Sequence, residues 1–324
     1  MKEFKKLSAK ECALRILETQ NPIVLIHQRP DGDAVGSGAA LCEIFRQLGR
    51  EASLLSSDHI PERLRFILDF TGVSVANGAE GKSAVAIDTA SPSQLGSLRD
   101  TAPAPILMID HHQIGEPFAD GYIVPEASSA AEALFDVAEE LIAMGKVALD
   151  LPLAYALFAA VSSDTGCFAY SNASAKTHRL AANLIEVGID AADINRRLFS
   201  SKSNEQLRAE GFIASKLETD RTGRIAFATL SFDQLNALGL KEEHFETAID
   251  VVRAVRGAEI AVFIRQTDCN KYKASLRSNG KNVAKIAERF GGGGHIRAAG
   301  CSLCAESIES AKTSILSELE KDLL

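Results

Sequence analysis

The stretch Pro22-Ile-Val-Leu-Ile-His-Gln-Arg-Pro-Asp-Gly-Asp33 joins a short apolar run directly to a cluster of polar side chains. A second stretch, Pro105-Ile-Leu-Met-Ile-Asp-His-His112, repeats this arrangement. An apolar run that begins at Pro and is followed by polar residues is typical of a buried parallel strand. In open α/β sheets, ligands bind in the crevice beyond the carboxyl ends of the strands. The two stretches therefore predict a parallel sheet with a polar site at one edge.

Apolar runs and helical patterns together predict a two-part α/β fold. In the first part, four strand-like runs alternate with helical stretches, which indicates βαβ units and a parallel sheet. These runs lie near residues 22–27, 51–56, 83–88 and 105–109. No Gly or Pro interrupts the polar, helix-prone stretch from Ile189 to Glu210, so we expect a helical connector there. Further strand-like and helical runs after it predict a smaller α/β domain.

The composition is that of an ordinary soluble globular protein. Of 324 residues, 46% are hydrophobic and 24% are charged. Six cysteines are too few for a disulfide framework in a chain of this length, and they fit a reducing compartment. The N-terminus lacks an apolar signal core, and no apolar run approaches the roughly 20 residues that a membrane helix needs. We therefore expect a cytoplasmic protein without a membrane partner.

The charge of the chain is unevenly distributed. A net charge of −8 argues against tight binding of long duplex nucleic acid, which depends on many contacts between basic side chains and phosphates. Between Val251 and Gly300, however, ten Lys and Arg residues face only three acidic ones. A basic module beside an acidic one suits a small anionic substrate. A solvated basic face would explain the same charges equally well.

Histidines and aspartates follow several of the predicted strands. The candidates are His27, Asp31, Asp33, Asp88, Asp110, His111, His112 and Asp164. Any one of them alone is more often a satisfied polar residue or a helix cap, but so many acids at one sheet edge would be costly to bury without cations. Mixed imidazole and carboxylate ligands favour Mn²⁺ over a structural zinc, with Mg²⁺ or Co²⁺ as alternatives. The number of carboxylates predicts two ions that share a bridging carboxylate.

These segments resemble the four motifs of the DHH phosphoesterases. The matching segments are His27–Ser37, Asp88, Asp110-His-His112 and Asp164, and Phe290-Gly-Gly-Gly-Gly-His-Ile-Arg-Ala-Ala-Gly300 resembles the glycine-rich signature of the DHH-associated C-terminal domain. The resemblance spans nearly the whole chain, and the motifs follow one another in the same order as in the family. It implies a catalytic DHH domain with a parallel sheet at residues 1–188, a helical connector at 189–218 and a smaller DHH-associated substrate-binding domain at 219–324.

The resemblance also implies roles for the individual residues. One metal ion would be held by His27, Asp31 and Asp88, and the other by Asp33, Asp88, His111 and Asp164. Asp88 would therefore be the bridging ligand. His112 would face the scissile phosphate, and Asp110 would be the acceptor that fixes an imidazole tautomer. A hydroxide held between the two ions would attack the phosphorus.

The glycine-rich signature is the expected substrate site. Four consecutive glycines allow backbone N–H groups to approach an anion closely, although glycines alone would equally fit a flexible helix end. Arg is suited to phosphate because its planar guanidinium matches the phosphate oxygens. The resemblance assigns the terminal phosphate or neighbouring nucleotide of the substrate to Arg277, Ser278, Gly292, Gly293, Gly294 and His295.

The resemblance is strongest to the compact two-domain members of the family, which are bacterial oligoribonucleases and pAp phosphatases. It implies that the chain hydrolyses nanoRNA and dinucleotides to mononucleotides, 3′-phosphoadenosine 5′-phosphate (pAp) to AMP, or both. A phosphodiesterase for cyclic or linear dinucleotides and a RecJ-like single-strand exonuclease remain alternatives. A family-II-like pyrophosphatase and a nucleotide-binding regulatory protein are weaker ones. The sequence leaves open the preferred substrate, RNA or DNA, the direction of cleavage, the metal in the cell and the oligomeric state, with a homodimer among the alternatives.

Overall fold

The computed structural model describes residues 4–323, apart from the side chains of residues 295, 322 and 323. The chain forms two compact units, Met1–Ser201 and Lys202–Leu324. The boundary between them falls within residues 189–218, where the sequence predicts a helical connector. Helices at Ala191–Asn195 and Arg196–Ser200 belong to the first unit, and the helix Asn204–Ser215 belongs to the second.

The first unit contains a parallel sheet, as the sequence predicts, with a fifth strand beyond the four predicted ones. Its strands are β1 (Pro22–Leu25), β2 (Leu54–Leu55), β3 (Ser83–Ile87), β4 (Leu107–Asp110) and β5 (Gly121–Ile123). Their order in the sheet is β2-β1-β3-β4-β5, and each neighbouring pair is parallel. Since parallel strands present their carboxyl ends at one edge, the residues after β1, β3 and β4 share that edge.

The first unit also contains helices and short helical turns. They are α1 (Ala9–Glu18), α2 (Gly32–Gln47), α3 (Arg65–Thr71), α4 (Leu98–Thr101), α5 (Ala130–Ala143), α6 (Leu151–Asp164), α7 (Ala175–Glu186), α8 (Ala191–Asn195), a π-helical turn (Arg196–Ser200) and two 3₁₀ turns (Glu62–Leu64 and Pro92–Leu95). A Ser8–Glu11 capping box begins α1, and Ser129 caps α5 through the backbone N–H of Glu132.

Close packing of α2 against α6 brings one end of each helix together. A Cβ at Gly36 would lie 2.8 Å from the carbonyl oxygen of Ala156, and one at Gly32 would lie 2.2 Å from Ser163 Oγ. Both distances are too short for a real Cβ, so the helices can approach only because these positions are glycine. The N-terminus of α2 therefore lies beside the C-terminus of α6.

The second unit contains a six-stranded mixed sheet. Its strands are β6 (Glu218–Thr219), β7 (Ile225–Leu230), β8 (Ile260–Asp268), β9 (Lys271–Ser278), β10 (Gly293–His295) and β11 (Ala298–Cys304). The order is β10-β11-β9-β8-β7-β6, and only β7 and β8 pair in parallel among the described strands. The helices are α9 (Asn204–Ser215), α10 (Phe232–Leu238), α11 (Ala248–Arg253), α12 (Val283–Arg289) and α13 (Ile308–Leu323), with a 3₁₀ turn at Glu242–Phe245.

Different helices pack on the two faces of this sheet. Ile225 and Phe227 of β7 pack in the core that includes residues of α12 and α13. Ala226 and Ala228, which alternate with them, pack in the core that includes residues of α9, α10 and α11. This alternation is expected because successive strand residues point to opposite faces. Within residues 4–323, the helices lack the combination of length and hydrophobicity needed to cross a bilayer.

Candidate metal centre

The six predicted metal ligands meet at the carboxyl edge of the first sheet. They are positioned by the ends of secondary-structure elements: His27 after β1, Asp31 and Asp33 at the start of α2, Asp88 directly after β3, His111 directly after β4, and Asp164 at the end of α6. They fall into groups of three residues, and within each group the ligand atoms lie within 4.8 Å of one another. Short connections from buried strands therefore bring together residues that lie more than a hundred positions apart in the sequence.

The first group consists of His27, Asp31 and Asp88. His27 Nε2 lies 3.8 Å from Asp31 Oδ1 and 3.5 Å from Asp88 Oδ2. These separations are at or beyond the limit of a hydrogen bond, so the atoms surround a common point instead of bonding closely to one another. His27 Nδ1 lies 2.8 Å from the carbonyl oxygen of Gln28 and can donate to it. That bond leaves the lone pair of Nε2 directed at the two carboxylates, as a metal ligand requires.

The second group consists of Asp33, His111 and Asp164, with Asp88 beside it. His111 Nε2 lies 3.7 Å from Asp33 Oδ2, 3.8 Å from Asp164 Oδ2 and 3.6 Å from Asp88 Oδ1. His111 Nδ1 lies 3.2 Å from the carbonyl oxygen of Ala127. Asp88 thus directs one oxygen at the imidazole of each group, because its Oδ2 faces His27 and its Oδ1 faces His111.

The backbone around these ligands is held in specific conformations. Asp31 caps α2, where its Oδ1 accepts hydrogen bonds from the N–H groups of Asp33 and Ala34 at 3.0 Å. Asp88 has a φ of 52°, in the left-handed region that residues other than Gly seldom adopt. Its N–H donates to the carbonyl oxygen of Ile109 at 3.0 Å, which ties the end of β3 to β4. Such conformations occur often at functional sites.

His112 and Asp110 form a separate pair at the same edge. His112 Nδ1 lies 2.7 Å from Asp110 Oδ1, which is a short, charge-assisted hydrogen bond. The same nitrogen lies 3.7 Å from Asp88 Oδ1, and Asp88, His111 and His112 form a third group with metal-ligand spacing. Because Asp110 engages Nδ1, the nitrogen of His112 that can meet another molecule is Nε2.

Crowded carboxylates shift the protonation of the centre when no cation is bound. Burial raises the pKa of Asp33 well above its usual range, and Asp88 and Asp164 add to this effect. Burial likewise raises the pKa of Asp164 to about 7. Burial alone would lower the pKa of His27, but the two carboxylates of its group raise it to about 11. When no cation is bound, protons therefore balance part of the negative charge, as expected for a cation-binding site built from buried carboxylates.

His112 is shifted in the same direction. Burial alone would lower its pKa, but the hydrogen bond and charge of Asp110, with the charge of Asp88, raise it to about 9. Its imidazole is therefore protonated at neutral pH in the cation-free protein, with Nδ1–H donating to Asp110.

Sequence reasoning did not identify the side chains that fasten these loops together. Gln94 accepts a hydrogen bond from Ala90 N–H on its Oε1, and its carbonyl oxygen accepts one from Gln28 N–H, both at 2.6 Å. It thereby ties the turn after β3 to the turn after β1. Asn172 Nδ2 donates to the carbonyl oxygens of Ser128 and Asp164 at 2.9 and 3.1 Å. Neither residue stands in a recognisable motif, so the sequence carries no clear signal for them.

The candidate substrate residues of the second unit lie at the end of β9 (Arg277 and Ser278) and at or directly before β10 (Gly292 to His295). In the register of the sheet, Ala298 of β11 stands between Arg277 of β9 and His295 of β10. The side chain of His295 lies outside the described part of the structure. Ser278 is buried, and its Oγ accepts hydrogen bonds from the N–H groups of Gly280 and Lys281 at 3.1 and 2.6 Å. Ser278 therefore fixes the turn that follows Arg277.

The glycine run forms part of a β-hairpin. A Cβ at Gly292 would lie 2.2 Å from the carbonyl oxygen of Gly300, and one at Gly294 would lie 2.5 Å from that of Ala298. Both glycines are therefore required by backbone packing. A Cβ at Gly293 would meet nothing within 4 Å. Gly293 is the position at which a close approach to a ligand, and not the fold, could require glycine.

Metal-free protein should lose stability as the pH rises from 5 to 8. The raised pKa of Asp164, about 7, and that of His27, about 11, mean that the folded chain binds more protons than the unfolded chain in this range. Stability then falls with pH. The contribution of Asp164 is lost between about pH 4 and 7, and that of His27 from about pH 6.5 upward. Calorimetry of chelator-treated protein at pH 5 and 8 measures this.

Added Mn²⁺ should reverse the loss at pH 8. A concentration of 100 times Kd stabilises the folded state by about 2.7 kcal/mol, which is a rise of roughly 5–10 °C in the thermal midpoint. Asp164→Asn should have a smaller pH dependence between 5 and 7, because it removes one of the shifted groups. A metal-free protein that is more stable at pH 8 than at pH 5 would contradict the charge crowding described above.

Each of the two units matches the model of a known domain family. Residues 21–161 match the model of the DHH family N-terminal domain, and residues 222–321 match that of the DHHA1 domain. The bifunctional oligoribonuclease and PAP phosphatase NrnA of Thermus thermophilus is 29% identical over 94% of this chain and 91% of the relative. NrnA of Bacillus subtilis is 27% identical over 90% and 92%, respectively.

Two further comparisons are informative in different ways. The cyclic-di-AMP phosphodiesterase PdeA of Listeria monocytogenes is 27% identical over 95% of this chain, but the match covers only 49% of PdeA. The crystal structure of an exopolyphosphatase-related protein from Bacteroides fragilis superposes with a TM-score of 0.86 over 97% of this chain and 96% of the other, at 22% identity. At that identity, the structural likeness shows a shared fold only.

Proposed function

Because this chain belongs to the DHH phosphoesterase family, with a DHH domain followed by a DHHA1 domain, we propose that it hydrolyses very short oligonucleotides to mononucleotides and pAp to AMP. The observation that carries the proposal is the two ligand groups, His27–Asp31–Asp88 and Asp33–His111–Asp164, with Asp88 facing the imidazoles of both. The NrnA relatives support the substrate class, since they match over about nine tenths of both chains. Short oligonucleotides and nucleotide bisphosphates are then its partners.

The residues present fit two divalent cations. His27, Asp31 and Asp88 would hold one ion, and Asp33, Asp88, His111 and Asp164 would hold the other. When bound, the ions would supply positive charge that polarises the phosphate and favours attack by water. Imidazole and carboxylate donors without thiolate favour Mn²⁺, with Mg²⁺ or Co²⁺ as alternatives. The raised pKa values of Asp33 and Asp164 support this assignment, because burial and the neighbouring carboxylates disfavour their ionised forms and bound cations would relieve that penalty.

His112 and Asp110 would act on the substrate. Asp110 holds Nδ1–H of His112 at 2.7 Å and so directs Nε2 away from itself. A protonated His112 would donate from Nε2 to the scissile phosphate or to the leaving oxygen. Burial lowers the pKa of His112, but the hydrogen bond and charge of Asp110 raise it and so favour the protonated ring. The leaving oxygen would then depart as a hydroxyl, which lowers the cost of breaking the P–O bond.

The second unit would bind the part of the substrate that is not cleaved. We propose that Arg277, the Gly292–Gly294 run and His295 contact its phosphate or nucleoside, and that Ser278 holds the turn after Arg277 in place. The supporting observations are the register that aligns Arg277 with the glycine hairpin and the surplus of basic residues between Val251 and Gly300.

A cytoplasmic location is part of the proposal. All six cysteines are free thiols, and three of them, Cys12, Cys42 and Cys301, are buried. Unpaired cysteines are the usual state in a reducing compartment.

A cleavage assay tests the proposal directly. Purified protein with Mn²⁺ should cleave a 5′-labelled trinucleotide and release phosphate from pAp, and the time course also gives the direction of cleavage. Asp33→Ala should lose both activities. The proposal is wrong if wild-type protein leaves dinucleotides and pAp intact under conditions in which Asp33→Ala behaves identically. Faster cleavage of a long single strand would favour a RecJ-like exonuclease. Faster cleavage of cyclic di-AMP would favour the activity for which PdeA is named.

Gly293→Ala should raise KM for dinucleotides and pAp by about tenfold or more, while kcat changes little. The added methyl group meets no protein atom, so folding and stability should be unaffected. A ligand in contact with this backbone would be displaced, and 1.4 kcal/mol of lost binding corresponds to about tenfold. Gly211→Ala, in α9 of the same unit and outside the proposed substrate residues, is the control, since its Cβ also meets nothing within 4 Å. Steady-state kinetics in which both variants match the wild type would remove Gly293 from the substrate site.

A further inference from the structure

One short segment contacts the residues of the second ligand group. This segment, Ala127–Glu132, comprises the last turn before α5 and its first residues. Its Ala127 carbonyl oxygen lies 3.2 Å from His111 Nδ1. Two backbone N–H groups, those of Ala130 and the residue after it, donate to the two oxygens of Asp33 at 2.6 and 3.2 Å. These bonds come from the N-terminus of a helix, which favours the negative charge of Asp33.

The third ligand of the group is linked to the same segment through Asn172. Asn172 Nδ2 donates to the Ser128 carbonyl oxygen of the segment and to the Asp164 carbonyl oxygen. The first ligand group is held differently. His27 Nδ1 contacts the carbonyl oxygen of Gln28, and Asp31 accepts hydrogen bonds from its own helix. The position of the Ala127–Glu132 segment therefore affects one metal site more directly than the other.

Glu132 fixes the conformation of this segment. It is buried, and its Oε2 accepts hydrogen bonds from Ser128 N–H at 3.3 Å, Ser128 Oγ at 2.6 Å and Thr177 Oγ1 at 2.7 Å. Lys176 Nζ lies 3.8 Å from its other oxygen. Glu132 has the capping-box spacing from Ser129, but its side chain bonds the residue before the cap and reaches across to α7. It thus pins the segment to a second helix.

We propose that Glu132 is a positioning residue for the metal site formed by Asp33, His111 and Asp164. It holds the Ala127–Glu132 segment where its carbonyl and N–H groups meet the ligands, and it does not itself approach the ion. The assignment rests on the proposed function only in requiring that cations bind at these residues. Without Glu132, buried donors of Ser128 and Thr177 would lose their acceptor, and the segment would relax to satisfy them.

The expected effect is selective. Loss of a residue that orients metal ligands typically weakens metal binding by about 10–100-fold. Glu132→Ala should therefore weaken one of two Mn²⁺ sites by that factor and leave the other nearly unchanged. Glu132→Gln keeps an uncharged oxygen in the same place, so it should restore part of the lost affinity. A merely structural carboxylate would lower the stability of the unit without this selectivity.

The test counts metal ions on the full-length chain. Titration of chelator-treated protein with Mn²⁺, followed by calorimetry and by electron paramagnetic resonance of free Mn²⁺, gives the number and affinity of sites without substrate. Glu43→Ala is the matched control, because Glu43 is equally buried in the same unit but pairs with Arg46 at 2.6 Å. Circular dichroism and thermal unfolding establish that each variant is folded. If Glu132→Ala does not fold, Glu132→Gln carries the comparison.

One weakened site in the Glu132 variants, with two intact sites in Glu43→Ala, supports the assignment. Equal weakening of both sites, unchanged binding in a folded Glu132 variant, or the same metal loss in Glu43→Ala would overturn it. A wild-type chain that binds two Mn²⁺ but does not cleave short oligonucleotides or pAp would overturn the proposed function instead. The role of Glu132 would then still be decided by the site count.

Discussion

Asp88→Asn should abolish hydrolysis of dinucleotides and pAp while leaving the metal-free protein folded. Asp88 is the carboxylate that faces both imidazole groups, with Oδ2 3.5 Å from His27 Nε2 and Oδ1 3.6 Å from His111 Nε2. An amide offers only one neutral oxygen, so it cannot serve two cations. We expect kcat/KM to fall by at least about 10³-fold, or roughly 4 kcal/mol of transition-state stabilisation.

The stability of this variant has a separate physical basis. Burial is the main cause of the raised pKa values of Asp33 and Asp164, and the charge of Asp88 adds to both. The same charge favours the protonated imidazoles of His27 and His112. Loss of this charge therefore removes repulsion and attraction together, and we expect only a small net change in stability. Asn also tolerates the left-handed conformation of this residue, whose φ is 52°. The local backbone should therefore be kept.

Thermal unfolding in chelator, Mn²⁺ titration and steady-state kinetics check the prediction together. Asp100→Asn is the control, because Asp100 is an exposed aspartate of the same unit that pairs with Arg99. It should change none of the three measurements appreciably. An Asp88→Asn variant that retains both Mn²⁺ sites and more than a tenth of wild-type activity would show that Asp88 does not bridge.

The sheet and the convergence of the candidate ligands could be predicted from the sequence because both depend on strand ends. Buried parallel strands are continuous apolar runs, and the residue after each run must lie at the carboxyl edge. The polar residues after β1, β3 and β4 could therefore be placed together without knowing the helices. β5 was not predicted, since its three residues, Gly121–Ile123, are too few to give a pattern.

Residues that orient the site could not be predicted in the same way. Glu132 contacts Thr177, which is 45 positions away, and Gln94 joins two turns through one backbone and one side-chain acceptor. Such contacts follow no periodicity, and the same residue types occur throughout the surface. The sequence of the glycine run could not distinguish Gly292 and Gly294, which the hairpin requires, from Gly293, which it does not.

His112→Ala should keep two Mn²⁺ sites and lose turnover, whereas His111→Ala should lose metal affinity. His111 directs Nε2 at three carboxylates at 3.6–3.8 Å, so its removal takes away a metal ligand. His112 instead binds Asp110 through Nδ1 at 2.7 Å. If it donates a proton to the leaving oxygen, kcat should fall by about 10²–10⁴-fold.

The spacing of His112 also permits a different role, and the variants separate the two. Asp88, His111 and His112 together have metal-ligand spacing, so equal metal loss in His111→Ala and His112→Ala would make both histidines ligands. Asp110→Asn sharpens the comparison, because its oxygen can still accept the bond from Nδ1–H but no longer carries charge. Donation by His112 predicts unchanged Mn²⁺ stoichiometry and a kcat between those of wild type and His112→Ala. A substrate with a better leaving group should recover most of the rate in His112→Ala, since departure of that group no longer needs the proton, whereas a missing metal ligand would not be rescued in this way.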